Sequence, residues 1–155
     1  ANAPRSKATW IGLSLMLGID CGLRRGEILK LKRSDINFQN STCMLRDTKN
    51  GTSRKIGLSP RVVRAMLEQP SHIDGRLINC TTKDQFKFYW EQLRRWSDVK
   101  KTFHSTRHTF ASRCAMKGWT IQEISAQGGW KELKILKRYT HIAPEYLADK
   151  LKNQK

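Results

Sequence analysis

The chain has 155 residues, enough for one domain with its own core. Thirty Lys and Arg against 13 Asp and Glu give a formal charge of +17, and five Trp, five Phe and three Tyr exclude a disordered basic tail. A charge excess of this size implies a polyanionic partner, with nucleic acid ahead of an anionic membrane surface.

Ala8 to Cys21 is apolar almost all round, which predicts a buried helix. Its longest apolar stretch, Ile11 to Ile19, is interrupted by Gly12, Ser14 and Gly18 and is about half the ~20 residues a bilayer requires. No membrane span is expected, and Ala1 to Lys7 does not read as a signal peptide. Leu23 to Leu31 is helical, with Glu27, Ile28 and Leu31 at helical spacing, and the stretch from Lys32 to Asn37 breaks the pattern. The strand signal follows: Thr42 to Asp47 and Ser53 to Leu58 flank Lys49-Asn50-Gly51-Thr52, and Asn-Gly is the strongest short hairpin signal. Ser59-Pro60 caps and opens a helix to about Gln69, where Pro70 stops it. Ser71 to Thr81 reads as loop.

Thr82 to Val99 is a long helix whose Phe86, Tyr89, Trp90, Leu93 and Trp96 form an expected core stripe. Ser105 to Met116 is helical and ends at Gly118. Thr120 caps a short helix through Ala126, which Gly128-Gly129 ends. Glu132 to Thr140 and Pro144 to about Lys152 give two more helices. No repeat, low-complexity tract or linker divides the chain, so a single domain is expected. Cys21, Cys43, Cys80 and Cys114 are far apart with no CxxC pair, which speaks against zinc and for reduced thiols in a cytoplasmic setting.

Four segments carry candidate chemistry: Cys21-Gly22-Leu23-Arg24-Arg25-Gly26-Glu27, Thr48-Lys49-Asn50-Gly51, His104-Ser105-Thr106-Arg107-His108-Thr109-Phe110-Ala111-Ser112, and Gly128-Gly129-Trp130 followed by Arg138-Tyr139-Thr140-His141. Singly, each has an ordinary reading. Arg24 suits a surface partner for Glu27, and Lys49 suits a solvated turn. His104 and His108 suit a capping and a surface histidine, and Tyr139 a half-buried core residue. The His104/His108 spacing fits a metal, but the metalloprotease signature needs Glu where Ser105 stands.

Taken together and in order, these segments resemble the catalytic domain of tyrosine recombinases, the phage-integrase family. The resemblance assigns Arg24 to the family's first arginine, with Glu27 as its structural acid. Lys49 matches the hairpin lysine, His104 and Arg107 the H-x-x-R pair, Trp130 the late His-or-Trp position, and Tyr139 the nucleophile of R-Y-x-H. Lys55, on the partner strand, is the rival to Lys49. Cys21, Thr106, Gly128 and Trp130 depart from the residues usual in bacterial members.

The resemblance implies a mainly helical α+β fold with a small antiparallel sheet, in a domain that other members join to core-binding and arm-binding domains. It implies double-stranded DNA as partner, a homotetramer on DNA for the full-length protein, a bacterial or phage source, and strand breakage and rejoining without metal, cofactor or ATP. Elementary chemistry agrees. Phosphodiester cleavage by a protein nucleophile passes through a phosphorane whose added charge sits on nonbridging oxygens. Two planar guanidiniums, Arg24 and Arg107, match those oxygens with paired donors. His104 would accept a proton or bond a nonbridging oxygen, Trp130 would donate its indole N–H, and Lys49 would protonate the departing 5′-oxygen. A type IB topoisomerase-like enzyme and a non-catalytic DNA-binding module of the same fold are the competing readings.

Overall fold

Helices supply most of the fold and a three-stranded antiparallel sheet the rest, in a computed structural model that describes residues 9–46, 52–139, 148–149 and 151–153. The described elements run α1 (Trp10–Cys21), α2 (Arg25–Lys30), a 3-10 turn (Arg33–Asp35), β1 (Ile36–Asn37), β2 (Thr42–Arg46), β3 (Ser53–Gly57), α3 (Pro60–Leu67), α4 (Lys83–Ser97), α5 (Ser105–Met116), α6 (Ile121–Gly128) and a 3-10 helix (Leu133–Tyr139). The mainly helical α+β expectation holds.

Local chemistry explains most boundaries. Ser59 Oγ accepts the Val62 N–H at 3.4 Å ahead of Pro60, and Thr82 Oγ1 accepts the Gln85 N–H at 3.1 Å. Thr120 and Glu123 form a reciprocal capping box at the start of α6. Helix α1 buries Trp10, Leu13, Leu17 and Cys21 and packs on α5. Its Gly18 lies where a Cβ would collide with Thr106 Oγ1, so the close approach of α1 and α5 requires glycine there.

Four details differ from the sequence reading. The sheet gains β1, two residues too short to leave a periodic signal, paired through Ile36 to Cys43 and Asn37 to Thr42. The hairpin register sets Arg46 opposite Ser53, whereas a two-residue Asn50-Gly51 turn would set it opposite Lys55. Strand β3 is instead held by long-range ties: the Gln127 side chain bonds the Gly57 N–H and carbonyl at 3.0 and 2.9 Å. Trp96, expected in the core, is 58% exposed. Phe86 and Trp90 are buried and Tyr89 and Leu93 pack beside them, but three residues past Leu93 the stripe has rotated off that face at the last turn of α4. Glu132 to Thr140 was expected as an ordinary helix; its described part is the tighter 3-10 form. Pro144, the expected start of the last helix, and Lys49 with its Asn-Gly turn lie outside the described residues.

The core has two parts. The larger gathers α1, α2, the sheet, α3 and α4, with Phe103 edge-on to Phe86 and Trp90. Complete burial of each such side chain contributes ~1.5–3 kcal/mol. The smaller joins Phe110, Ala111, Cys114, Ile124 and Leu136, with Trp130 and Tyr139 packed against it. Of the described candidate residues, Trp130 and Tyr139 pack against the smaller part, and Arg107 ties Gly22, after α1, to Gly128, at the end of α6.

Candidate active site

The last carbonyls of a helix have no partner within it and lie at the negative end of its dipole. At the end of α6, three arginines from three other elements take them. Arg24, just before α2, donates from Nη2 to the Gly129 carbonyl at 2.7 Å. Arg54 of β3 donates to Gly128 at 3.2 Å and to Gln127 at 3.4 Å. Arg107 of α5 donates from Nη1 to Gly128 at 2.8 Å. The chain leaves α6 through Gly129 at φ +69°, a left-handed conformation that suits glycine, and a Cβ there would stand 2.5 Å from Arg54 Cζ.

Arg24 is fixed on its other side by Glu27, which accepts its backbone N–H at 2.8 Å and its Nη1 at 3.2 Å. Its side chain remains 45% exposed, so it faces solvent with donors to spare. Arg107 is the opposite case, 2% exposed. Its Nη1 also bonds the Gly22 carbonyl, its guanidinium lies 4.1 Å from the Trp130 ring centroid, and its buried Nε has no hydrogen-bond partner among the described residues. Burial first, then the charge of Arg24, pushes Arg107 down to about 9. Such a buried, undercompensated cation favours an anion beside it. Gly22 supplies its carbonyl from φ +72°, with the Phe110 ring 2.6 Å from where a Cβ would sit. That explains the glycine two residues before Arg24.

Trp130 stacks on Phe110 with planes 6° apart and centroids 6.3 Å apart. Tyr139 ends the 3-10 helix, and its hydroxyl meets His108 Nδ1. His104 and His108, one turn apart on α5, stand edge to face at 5.0 Å. Burial lowers both below 6.5; the charges of His108, Arg107 and Arg24 add to this at His104, and those of Arg138 and Arg107 at His108. Both shifts favour the neutral ring.

The described fold thus gathers Arg24, His104, Arg107, Trp130 and Tyr139 at one locus. Lys49 lies outside the described residues. Lys55 is exposed on β3, one residue from Arg54 and therefore on the opposite face of the strand. Sequence reading passed over two residues. Arg54 stood out only as a neighbour of Lys55, and no periodicity marks its pairing with Glu27. His108 was quoted within its motif as a surface residue, and only its four-residue spacing from His104 hinted at a shared face. The four cysteines are buried free thiols; burial pushes Cys21 and Cys114 to about 11 and Cys43 to about 12. Among the described residues no three His, Cys, Asp or Glu side chains group as metal ligands, and no helix is long and apolar enough to cross a membrane.

Comparison with known proteins gives one consistent answer. The chain is 32% identical over 151 residues to a shufflon-specific DNA recombinase of Escherichia coli, covering 95% of this chain and 38% of that protein. It is 23% identical over 150 residues to an integrase of Salmonella phage P22, covering 84% and 39%. It is 28% identical over 146 residues to tyrosine recombinase XerA of Thermococcus onnurineus, covering 87% and 52%. The chain spans about half or less of the length of these curated relatives. Its fold superposes on the catalytic domain of bacteriophage HP1 integrase with a TM-score of 0.75 at 23% identity, covering 97% of this chain and 85% of that one. A XerA recombinase crystal structure gives 0.69 at 20% identity, covering 100% and 67%. The family model described as the phage integrase family matches residues 1–145, and the chain belongs to that family.

Proposed function

We propose that this domain is the catalytic part of a site-specific DNA recombinase. It breaks a strand by attack of Tyr139 on phosphorus and rejoins strands by the reverse step. The Tyr139 Oη–P bond forms and the P–O5′ bond breaks, leaving a 3′-phosphotyrosine and a free 5′-hydroxyl. Because the new ester conserves the phosphodiester linkage, rejoining needs no ATP.

The carrying observation is the convergence of two anchored guanidiniums, a tryptophan and a tyrosine at the end of α6. A guanidinium has five N–H donors. Anchoring occupies two nitrogens of Arg24 and one of Arg107, so donors remain for two nonbridging oxygens. Pre-fixed cations of this kind stabilise transition-state charge without reorganising. His104 bonds a nonbridging oxygen, and Trp130 walls the pocket and offers its indole N–H. Lys49 protonates the departing 5′-oxygen. The exposed face occupied by Lys55, turned away from Arg54 and Glu27, favours Lys49 for that role.

Duplex DNA is the proposed partner, gripped mainly through phosphates by the +17 charge. The full-length protein carries further DNA-gripping domains, acts as a tetramer on DNA, and works in the bacterial cytoplasm.

The test is covalent trapping. The chain is incubated with a pool of nicked duplexes of random sequence, and SDS-stable protein–DNA adducts are isolated and sequenced. Tyr139→Phe, which keeps the ring, retains DNA binding and yields no adduct. An adduct that survives this substitution assigns the nucleophile elsewhere and overturns the reading.

A further inference from the structure

We infer that His108 takes the phenolic proton of Tyr139 when the strand is cut and returns it when the strand is rejoined. The inference rests on the recombinase reading and adds a residue to it. A tyrosine phenol is almost wholly protonated at neutral pH, so a nucleophilic tyrosine needs a proton acceptor within hydrogen-bond reach. His104 and His108 share a face of α5, yet only His108 meets the Tyr139 hydroxyl. In the tautomer of neutral His108 that carries its ring proton on Nε2, Nδ1 is the acceptor for the phenol O–H. The ring centroids lie 5.9 Å apart.

The surroundings keep that acceptor ready. From its own helix His108 faces Arg107 and His104; from the 3-10 helix it faces Arg138 and Tyr139. Burial and the two arginine charges push His108 below its ordinary value and so favour the unprotonated ring. The Arg138 guanidinium lies 5.8 Å from the centre of the Tyr139 ring. In the forward step the Oη–H bond breaks and the proton passes to Nδ1, giving an imidazolium. The freed Oη pair forms the bond to phosphorus, and the P–O5′ pair leaves with the 5′-oxygen, which is protonated by the general acid. Rejoining reverses each transfer. His104 is thereby released to bond the phosphate. Arg107 and the proton acceptor sit on adjacent residues of one helix, so the nucleophile docks on the element that also holds the phosphate.

The first measurement needs no DNA. Imidazole 15N NMR of His108 is followed against pH in the unmodified chain and in Tyr139→Phe. Loss of the phenol donor removes a bond that favours the neutral ring, so the His108 midpoint rises and its Nδ1 resonance shifts. An unchanged midpoint and resonance overturn the contact.

The second measurement is the single-turnover rate of adduct formation on the nicked-duplex pool. His108→Ala slows it by ~10²–10⁴-fold while DNA retention is unchanged. Free imidazole restores part of the rate. A fluorinated tyrosine at position 139, whose phenol ionises more readily, speeds His108→Ala more than it speeds the unmodified chain. Adduct formation at the original rate in His108→Ala overturns the inference, and so does a slow variant that neither imidazole nor fluorotyrosine restores. If the unmodified chain shows the NMR coupling but forms no adduct with any duplex, the recombinase reading falls and the proton-transfer role falls with it.

Discussion

Arg54 grips Glu27 with both terminal nitrogens, at 2.6 and 3.1 Å, and Glu27 in turn holds Arg24 by its backbone N–H and by Nη1. The position of one candidate catalytic arginine, just before α2, therefore depends on a second arginine on β3. Burial alone would push the Glu27 carboxyl up, but the hydrogen bonds from Arg54 and the Arg24 N–H, with both positive charges, outweigh it and hold Glu27 below its ordinary 4.5. Arg54→Ala removes both bonds from a carboxylate that stays mostly buried. Losing hydrogen bonds to a charged group costs ~1.5–3 kcal/mol. In a chain of this size that lowers Tm by roughly 5 °C, and adduct formation slows as Arg24 loses its seat. Arg54→Lys, a point donor, recovers neither. A depressed carboxyl stabilises the fold above its unfolded value and loses that contribution as pH falls through the folded one. Melts of the unmodified chain therefore weaken below about pH 4.5, and those of Arg54→Ala change less over the same range. Equal pH dependence in both would contradict the linkage.

Gly129→Ala tests the carbonyl end of α6. A non-glycine residue at φ +69° costs ~1–3 kcal/mol. The new Cβ would also press on the Arg54 guanidinium, which Glu27 and two carbonyls hold in place. A lowered Tm and a larger loss of adduct rate than the lost folded fraction explains are expected. Wild-type melting by circular dichroism would show that α6 ends differently.

Much of this was legible in sequence because it rests on local rules. Ser59-Pro60, Thr120 with Glu123, and the Gly-Gly after α6 each announce a helix boundary through their own chemistry. The ordered motifs announce the family. What stayed hidden depends on tertiary choice. Any of several arginines could have paired with Glu27, and the fold selects Arg54 because β3 packs on α6 within side-chain reach of Glu27 in α2. Trp96 fits the helical spacing of the α4 stripe, but nothing local says that the core ends one turn before it. The two histidines of α5 look equivalent until the 3-10 helix brings the Tyr139 hydroxyl to one of them.

Binding should be governed by salt. With a formal charge of +17, phosphate contacts should dominate the affinity for the proposed DNA partner. Log K for this chain on duplex DNA should fall linearly with log salt, by ~0.9 per phosphate neutralised, with little sequence preference. Arg24→Ala and Arg107→Ala change the slope by about one unit at most, since each meets a single phosphate. Fluorescence anisotropy across a salt series checks this, and salt-insensitive binding would count against phosphate-led recognition.

The general acid can be identified by changing the leaving group. A departing 5′-alkoxide is strongly basic and leaves poorly unless protonated. Replacing that bridging oxygen with sulfur gives a thiolate, whose conjugate acid ionises much nearer the ~8.5 of a cysteine thiol and needs little protonation. Lys49→Ala should be slow on normal DNA and largely restored on DNA with a 5′-bridging sulfur at the scissile phosphate. Arg24→Ala and Arg107→Ala should be slow on both substrates, because they act on nonbridging oxygens that the sulfur leaves untouched. Lys55→Ala is the control: Lys55 is exposed on the face of β3 opposite Arg54, so its loss should alter neither rate by more than about twofold, the ordinary effect of a surface substitution. Rescue of Lys55→Ala by sulfur, with Lys49→Ala inactive on both substrates, would transfer the acid to Lys55. It would also require β3 to turn its other face to the phosphate, against the pairing of Arg54 with Glu27.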